Sequence, residues 1–260
     1  MIIAISGSNG FIGRHLWDHL SAQKHKLVRI ERNGTCEVKS VDYFIDLASY
    51  GNYHFQDDPE EIYKVNVTRL IKIFKNLKIR RGAVLTSSSS VQLPVHTFYG
   101  ASKLAIEELG KVYANKFPVV SVRPATIIGS GEAEHHLIPT LISNIASGRK
   151  TTLTKDPVHD FLSVYDFVRA YDYILPNTDK LNGKVLNIGT GKQRSNYEIY
   201  EYINFQISDH RARVKYVNSL RPQDVLDWKV KPSKELTSLG WKPEISVFDE
   251  IKRMIAEYYV

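Results

Sequence analysis

Tyr99-Gly100-Ala101-Ser102-Lys103 sets a phenol and an ammonium four residues apart, which on a helix is one turn along the same face. Such a pair is suited to proton transfer. A free phenol ionises near pH 10, so acid and base work around neutrality asks for a depression of roughly 3 pH units, or about 4 kcal/mol. One lysine charge about 5 Å away, at an effective dielectric of about 20, supplies roughly 3 kcal/mol of that. The N-terminus of a helix would favour the phenolate further. Of the 15 tyrosines in the chain, Tyr99 alone has a lysine four residues on, which singles out this location. Ser87, Ser88, Ser89 and Ser90 close the apolar run that begins at Gly82, and a hydroxyl there could hold a carbonyl oxygen beside Tyr99. At least two of these four serines are expected simply to satisfy their own backbone.

A second cluster suits phosphate. Gly7-Ser8-Asn9-Gly10-Phe11-Ile12-Gly13 lies where the apolar run Ile2 to Ser6 gives way to an amphipathic stretch. Glycines at such a junction turn the backbone tightly, leave room for a pyrophosphate and let helix and strand approach, while free N–H groups at the helix start attract negative charge. The expected ligand is a dinucleotide. Glu31 ends the second strand about twenty residues beyond the glycines, where a carboxylate can accept from the adenosine ribose hydroxyls; Arg32 beside it could instead clasp the 2′-phosphate of NADP. NAD is favoured on this reading, with NADP as the alternative.

Short β-branched runs alternate with amphipathic stretches of helical length, the pattern of a parallel sheet covered by helices. Strands are expected at Ile2 to Ser6, Lys26 to Glu31, Tyr43 to Leu47, Gly82 to Ser87, Val119 to Arg123 and Lys184 to Ile188, with helices over Phe11 to Ser21, Glu60 to Leu77 and Tyr99 to Lys116. After Pro124 the rhythm loosens, with helices at His136 to Ser147 and Ser195 to Phe205. The expected division is a dinucleotide-binding domain over 1–128, rejoined by 157–190, and a smaller substrate lobe from 129–156 and 191–260. The chain has 260 residues, 43% of them hydrophobic and 24% charged, an ordinary globular composition. No apolar run approaches the roughly 20 residues needed to span a bilayer, and the opening run lacks the length and basic flank of a secretion signal. Cys36 is the one cysteine, so an internal disulfide and a zinc site of paired thiolates are excluded, no metal is expected, and the cytoplasm is the expected compartment. The net charge of +7 favours anionic partners, yet no interleaving of basic and aromatic residues marks a nucleic-acid surface.

Taken together, the glycine run, the strand ending Asp46-Leu47-Ala48, Asn66-Val67, Thr86-Ser87-Ser88, Tyr99 to Lys103 and Arg123-Pro124-Ala125 resemble the extended short-chain dehydrogenase/reductase family, the NAD-dependent epimerases and dehydratases of nucleotide sugars. The resemblance continues through His159-Asp160-Phe161, Asn187-Ile188-Gly189-Thr190-Gly191 and Arg221-Pro222-Gln223-Asp224. It implies a Rossmann-type, doubly wound α/β sheet with a small C-terminal α/β substrate lobe. It also implies that Tyr99 is the acid and base, that Lys103 holds the nicotinamide ribose and tunes Tyr99, and that Ser88 binds the substrate oxygen. Gly7, Asn9, Gly10, Phe11, Ile12, Gly13, Glu31, Arg32, Leu47 and Ala48 would join Tyr99 and Lys103 around the cofactor, with Ser88, Ser89, His159 and Arg221 on the substrate and Asn66 in support. A homodimer through the helices 60–77 and 99–116 is implied likewise.

Four departures shape the expected activity. Between Glu31 and Asp42 there is space for a turn but not for the strand and helix usual in the family; the stretch from Ser88 to Tyr99 is short; His159 replaces an arginine; and Ser89 and Ser90 stand where dehydratases carry Asp-Glu. Dehydration is therefore disfavoured. Hydride transfer at a sugar carbon, C4 above all, is expected, with a 4-ketoreductase placed ahead of a NAD-retaining 4-epimerase. An alternative of another class is a catalytically silent dinucleotide-binding or RNA-associated module.

Overall fold

Ile2–Ser6 (β1) is paired on both sides, in parallel with Lys26–Ile30 (β2) and with Ser40–Asp46 (β3). This computed structural model describes residues 1–53, 55–95, 97–207, 214–217 and 224–259. The chain divides into two units, the first built from Met1–Pro124, Val168–Ile188 and Ser233–Trp241, the second from Ala125–Phe167, Gly189–Pro232 and Lys242–Val260. The expected division returns to the first unit at 157 and places 191–260 mainly in the second.

In the first unit β1 leads through helix α1 (Phe11–Ala22) to β2. After β3 comes one helical stretch in three parts: α2 (Pro59–Tyr63), a π-helical turn (Lys64–Thr68) and α3 (Arg69–Asn76). Then follow β4 (Lys78–Thr86), a 3-10 turn (Ser89–Gln92), α4 (Phe98–Tyr113) and β5 (Val119–Pro124). The second unit opens with β6 (Thr126–Ile128), α5 (Leu137–Ala146), β7 (Thr151–Thr154) and β8 (Val158–Ser163). Helix α6 (Val164–Arg169) leads back to the first unit's α7 (Tyr171–Ile174) and β9 (Val185–Ile188). The remaining elements are β10 (Gln193–Ser195), α8 (Asn196–Ile207), β11 (Val214–Val217), α9 (Lys234–Ser238) and α10 (Val247–Tyr258).

The first unit's six strands lie in the order β2-β1-β3-β4-β5-β9, all parallel. Strands buried on both faces read as continuous β-branched runs, as β1 does: Ile3, Ala4 and Ile5 are all inaccessible to solvent. Ala4 faces a cluster containing Leu70 and Ile73 of α3 and Ile106 of α4, and by the pleat Ile3 and Ile5 point the other way. This is the Rossmann-type arrangement, and the chain's direction of travel reverses between β1 and β3. In open α/β sheets ligands sit outside the carboxyl ends of the strands at that reversal.

Strand β2 is the edge of the sheet, and residues 31–39 form neither strand nor helix. A turn fills the interval instead: Glu31 N donates to Thr35 O at 2.9 Å, Gly34 takes φ +82°, and Cys36 bridges back to Ile30. The strand before the serines starts at Lys78, four residues earlier than expected, because Lys78, Arg80 and Arg81 project outward and give no apolar signal. The helix expected over 60–77 is interrupted by the π turn, around which Asn66 and Arg69 are both buried.

The second unit holds a three-stranded sheet, β10-β8-β6, and a parallel pair, β11-β7. Helices α5, α8 and α10 share its core through Leu141, Ile199, Ile203 and Ile251. Asp160 of β8 fixes the turn Thr190-Gly191, its two carboxylate oxygens accepting from the N–H groups of Thr190, Gly191 and Val230 at 2.8–3.0 Å. Among the described residues no helix is long and apolar enough to cross a membrane.

Candidate active site

At the first strand-to-helix junction the glycines are there for space. Gly7 has φ +69°, and a Cβ on it would lie 2.7 Å from Ala48 N; a Cβ on Gly13 would lie 2.0 Å from Gly7 O. Neither position admits a side chain. Gly10 N donates to Gly7 O at 3.0 Å and Gly10 begins α1 with no side-chain cap, which leaves N–H groups of the first turn to an incoming anion. Asn9 is exposed, with its carbonyl accepting from Arg14 at 3.0 Å, while Phe11 and Ile12 are half-buried in the first turn. Leu47 and Ala48 run alongside, Leu47 N donating to Ser6 O at 3.2 Å and Ala48 N to Ser6 Oγ at 3.3 Å. This cradle fits a dinucleotide pyrophosphate. Glu31 and Arg32 are both exposed at the end of β2.

Under the cradle lies a buried ion pair that the sequence did not reveal. Asp46 accepts from Ser6 Oγ and from Arg69 Nη2, the latter at 2.7 Å, with the two charged side chains 1% and 5% exposed. Arg69 also donates to Ala48 O at 3.2 Å, so it holds the segment that borders Gly7.

Thr97 caps α4 by accepting from Gly100 N at 3.0 Å, which places Tyr99 in the first turn and Lys103 one turn on. Ser49 and Ser88 both favour the ionised form of the Tyr99 phenol. Lys103 is 2% exposed; its Nζ stands 5.5 Å from the centre of the Tyr99 ring and donates to Thr86 O at 2.9 Å. Asn66 binds Tyr50 through both backbone groups at 2.9 Å and donates to Ser102 Oγ at 2.8 Å; Ser102 in turn donates to Tyr99 O at 2.7 Å. Tyr99, Lys103, Ser88 and Asn66, dispersed over 38 positions of the chain, thus share one neighbourhood.

The electrostatics differ from the expectation on one point. Burial is the largest influence on Tyr99 and raises its phenol above the usual range; Ser49 and Ser88 pull it down, and Tyr53 pushes it up. Depression by Lys103 was expected. Lysine 103 is itself desolvated, and burial, aided by Arg69 and opposed by Asp46, lowers it to about 8. Burial penalises both charged forms at once and so opposes the attraction between them.

The four serines separate. Ser87 is buried and donates to Glu107 Oε1 at 2.5 Å, while Glu107 receives a two-pronged contact from Arg123 at 2.6 and 2.7 Å. Ser89 is 2% exposed, and Ser88 and Ser90 share a hydrogen bond of 2.8 Å. Of these four, Ser88 is the one that bears on the Tyr99 phenol. In the second unit His159 is half-buried on β8 with its ring 5.2 Å from that of Trp228. Arg221, expected on the substrate, lies outside the described residues. Among the described residues no group of three or more His, Cys, Asp or Glu side chains is placed to hold a metal ion.

The pattern of the NAD dependent epimerase/dehydratase family matches residues 3–189, from β1 to just past β9. The chain belongs to this family. Among relatives within it, CDP-abequose synthase of Salmonella typhimurium is 23% identical over 97% of both chains. The dTDP-D-glucose 4,6-dehydratase of Mus musculus is 29% identical over 62% of this chain and 47% of its own. Of solved structures, MoeE5 in complex with UDP-glucose and NAD superimposes with a TM-score of 0.88 at 22% identity, covering 100% of this chain and 99% of that one. At such identity the superposition shows the Rossmann-type fold. The family's cofactor is NAD, and the cradle at Gly7 to Gly13 has the space and the free N–H groups that it requires.

Proposed function

We propose that the protein transfers hydride at a sugar carbon, C4, of a nucleotide-activated sugar, acting as a 4-ketoreductase. The observation that carries this reading is the Lys103 ammonium, 5.5 Å from the centre of the Tyr99 ring and bonded to Thr86 O at the carboxyl end of β4, in the same parallel sheet whose β1 leads into the glycine cradle. The nicotinamide cofactor would supply the hydride in its reduced form, NADH, or take it in its oxidised form, and Leu47 and Ala48 are proposed to line it together with the residues of the cradle. Tyr99 gives its hydroxyl proton to the sugar oxygen as the carbonyl becomes an alcohol, and takes one back in the reverse direction. Ser88 donates a hydrogen bond to the same oxygen and so favours the charge that develops there. Lys103, with its ammonium still protonated at neutral pH, steadies the phenolate that Tyr99 leaves behind.

The nucleotide sugar is proposed by analogy with relatives that carry such names, with Ser89, His159 and Arg221 as further contacts. Dehydration is disfavoured because Ser89 and Ser90 offer no carboxyl group beside Ser88. A NAD-retaining 4-epimerase is the second reading, supported by Glu31 at the end of β2, where a ribose hydroxyl would be bound. The turn at residues 31–39 in place of a strand and helix favours exchange of cofactor, and so the reductase. Arg32 keeps NADP as the alternative to NAD. A silent binding module would have no use for a phenol, a hydroxyl and an ammonium gathered in this way.

A thermal-shift screen of UDP-, GDP-, CDP- and dTDP-hexoses, each with NAD and with NADP, tests the proposal. A fitting pair present at about a hundred times its Kd adds roughly 2.7 kcal/mol to stability. Absence of any response to all pairs would count against it. Dinucleotide found already bound in the purified protein, with none added, would move the reading to the epimerase.

A further inference from the structure

We infer that the amino-terminal end of the first unit's sheet is a docking surface for an anionic lipid bilayer, with the carboxyl ends of the strands facing away from it. All six strands are parallel, so all six start at the same end. Five of the six starts carry exposed cations. Lys24 and Lys26 stand at β2, Lys39 at β3, and Lys78, Arg80 and Arg81 at β4. Lys116 lies just before β5, and Lys180 and Lys184 lie before β9. The inference does not depend on the reading of Tyr99.

These cations are not neutralised from within. Lys78 N donates to Lys39 O at 2.9 Å, so two like charges stand at adjacent strand starts, an arrangement that costs stability. Among the described residues Lys24, Lys26, Lys39, Lys78 and Lys116 have no carboxylate partner. The carboxylates of this end are mostly committed elsewhere. Asp42 holds Arg80 at 3.0 Å, Asp172 holds His19 at 2.8 Å and Glu235 lies 3.9 Å from Lys184, which leaves the exposed Glu37 and Asp179. Lys24 takes φ +61°, the one non-glycine residue with positive φ among the described ones, in a turn where glycine is the ordinary choice. Like charge kept together at a cost, and without an internal contact to make, points to an anion outside the chain.

That anion is neither cofactor nor substrate. At about 3.3 Å per residue, the length of β4 puts Lys78 roughly 26 Å from Thr86, about three Debye lengths at physiological salt. The row of starts is broad, since six strands about 4.8 Å apart span roughly 24 Å. Nucleic acid does not suit it. Of the guanidinium forks that could grip its phosphates, Arg80 is on Asp42, while Arg81 lies 5.8 Å from the centre of the Tyr43 ring and donates to Met1 Sδ. The rings of Phe74, Tyr113 and Phe117, which precede the starts of β4 and β5, are half-buried and packed on one another at 4.3–6.1 Å, so they present no face for bases to stack on. Compact lysine charge spread over a broad end matches the diffuse negative potential of acidic lipid headgroups.

Cosedimentation with vesicles is the test. At about 0.1 M salt, wild type should pellet with phosphatidylcholine vesicles containing about a third phosphatidylserine, stay in solution with phosphatidylcholine alone, and be released as salt rises. Each basic residue near such a surface contributes about fivefold to partitioning, so the triple variant Lys39→Gln, Lys78→Gln, Lys116→Gln should lose about a hundredfold. All three side chains are exposed, and an unchanged thermal midpoint checks that the fold is kept. A second triple variant, Lys64→Gln, Lys150→Gln, Lys252→Gln, removes the same charge from exposed positions outside the strand starts and should stay within a few fold of wild type. Lys24→Gly, which relieves the positive φ, should bind about fivefold less while unfolding no earlier than wild type. Equal losses in the two triple variants, equal binding to both kinds of vesicle, or binding to neither would overturn the inference. So would capture by single-stranded or duplex RNA in place of the acidic vesicles.

Discussion

The Lys103 ammonium donates to the carbonyl oxygen of Thr86 at 2.9 Å, so the last residue of β4 anchors the charge that stands beside Tyr99. Thr86 and Ser88 are two residues apart at the end of one strand, and Tyr99 and Lys103 are one turn apart on one helix. Strand and helix together set the distance between hydroxyl, phenol and ammonium.

Burial of Lys103 has a consequence for stability. Its folded value, about 8, lies below its ordinary 10.5, so between these two pH values the unfolded chain binds a proton that the folded chain releases. Stability then rises with pH through that window. In Lys103→Met this contribution disappears. Urea unfolding at several pH values should show wild type gaining on Lys103→Met from about pH 8 upward; a difference independent of pH would refute the shift.

Gly13→Ala should fail at the cradle. Its Cβ would lie 2.0 Å from Gly7 O, a clash with backbone that only a shift of α1 against β1 relieves. A cost of about 1–3 kcal/mol in unfolding free energy and a loss of NAD binding are expected. Denaturation and a dinucleotide titration measure the two, and an alanine variant that binds NAD as wild type does would show that close approach is not required.

The pair Asp46–Arg69 should behave as a buried ion pair rather than as a surface one. Arg69→Met leaves the Asp46 carboxylate inside without its cation, for an expected loss of about 3–5 kcal/mol, while the double variant Asp46→Leu with Arg69→Met should recover much of it. Urea midpoints of the two single variants and the double variant give the cycle. Additive losses would mean that the two charges do not depend on each other.

How much of this was legible in the chain depends on what each residue announces. The glycines of 7–13 and the spacing of Tyr99 to Lys103 announce themselves because type and interval are enough; β1 and β5 do so because their runs are rich in β-branched apolar residues. The start of β4 does not, since outward lysine and arginine look like loop. Arg69 reads as a solvated charge on a helix of period 3.6, and it turns inward at the exit of a π turn that no propensity foretells. Glu107 stands a second step of four beyond Lys103, a visible continuation of the Tyr99 face.

The proposed homodimer predicts the behaviour of Val112, a valine 59% exposed on α4. If α4 pairs with a second copy, Val112→Glu places a charge in an apolar contact. Sedimentation of wild type at micromolar concentration should give a dimer and that of Val112→Glu a monomer. A monomeric wild type would reject the assembly.

The central claim concerns one oxygen atom, the phenol of Tyr99, and the variant that removes it is Tyr99→Phe. Turnover of the nucleotide sugar that stabilises wild type should fall by about 10²–10⁴-fold, while the affinity for NAD, set by the glycine cradle, is retained. Turnover near the wild-type rate in a folded, NAD-binding Tyr99→Phe protein would contradict the account.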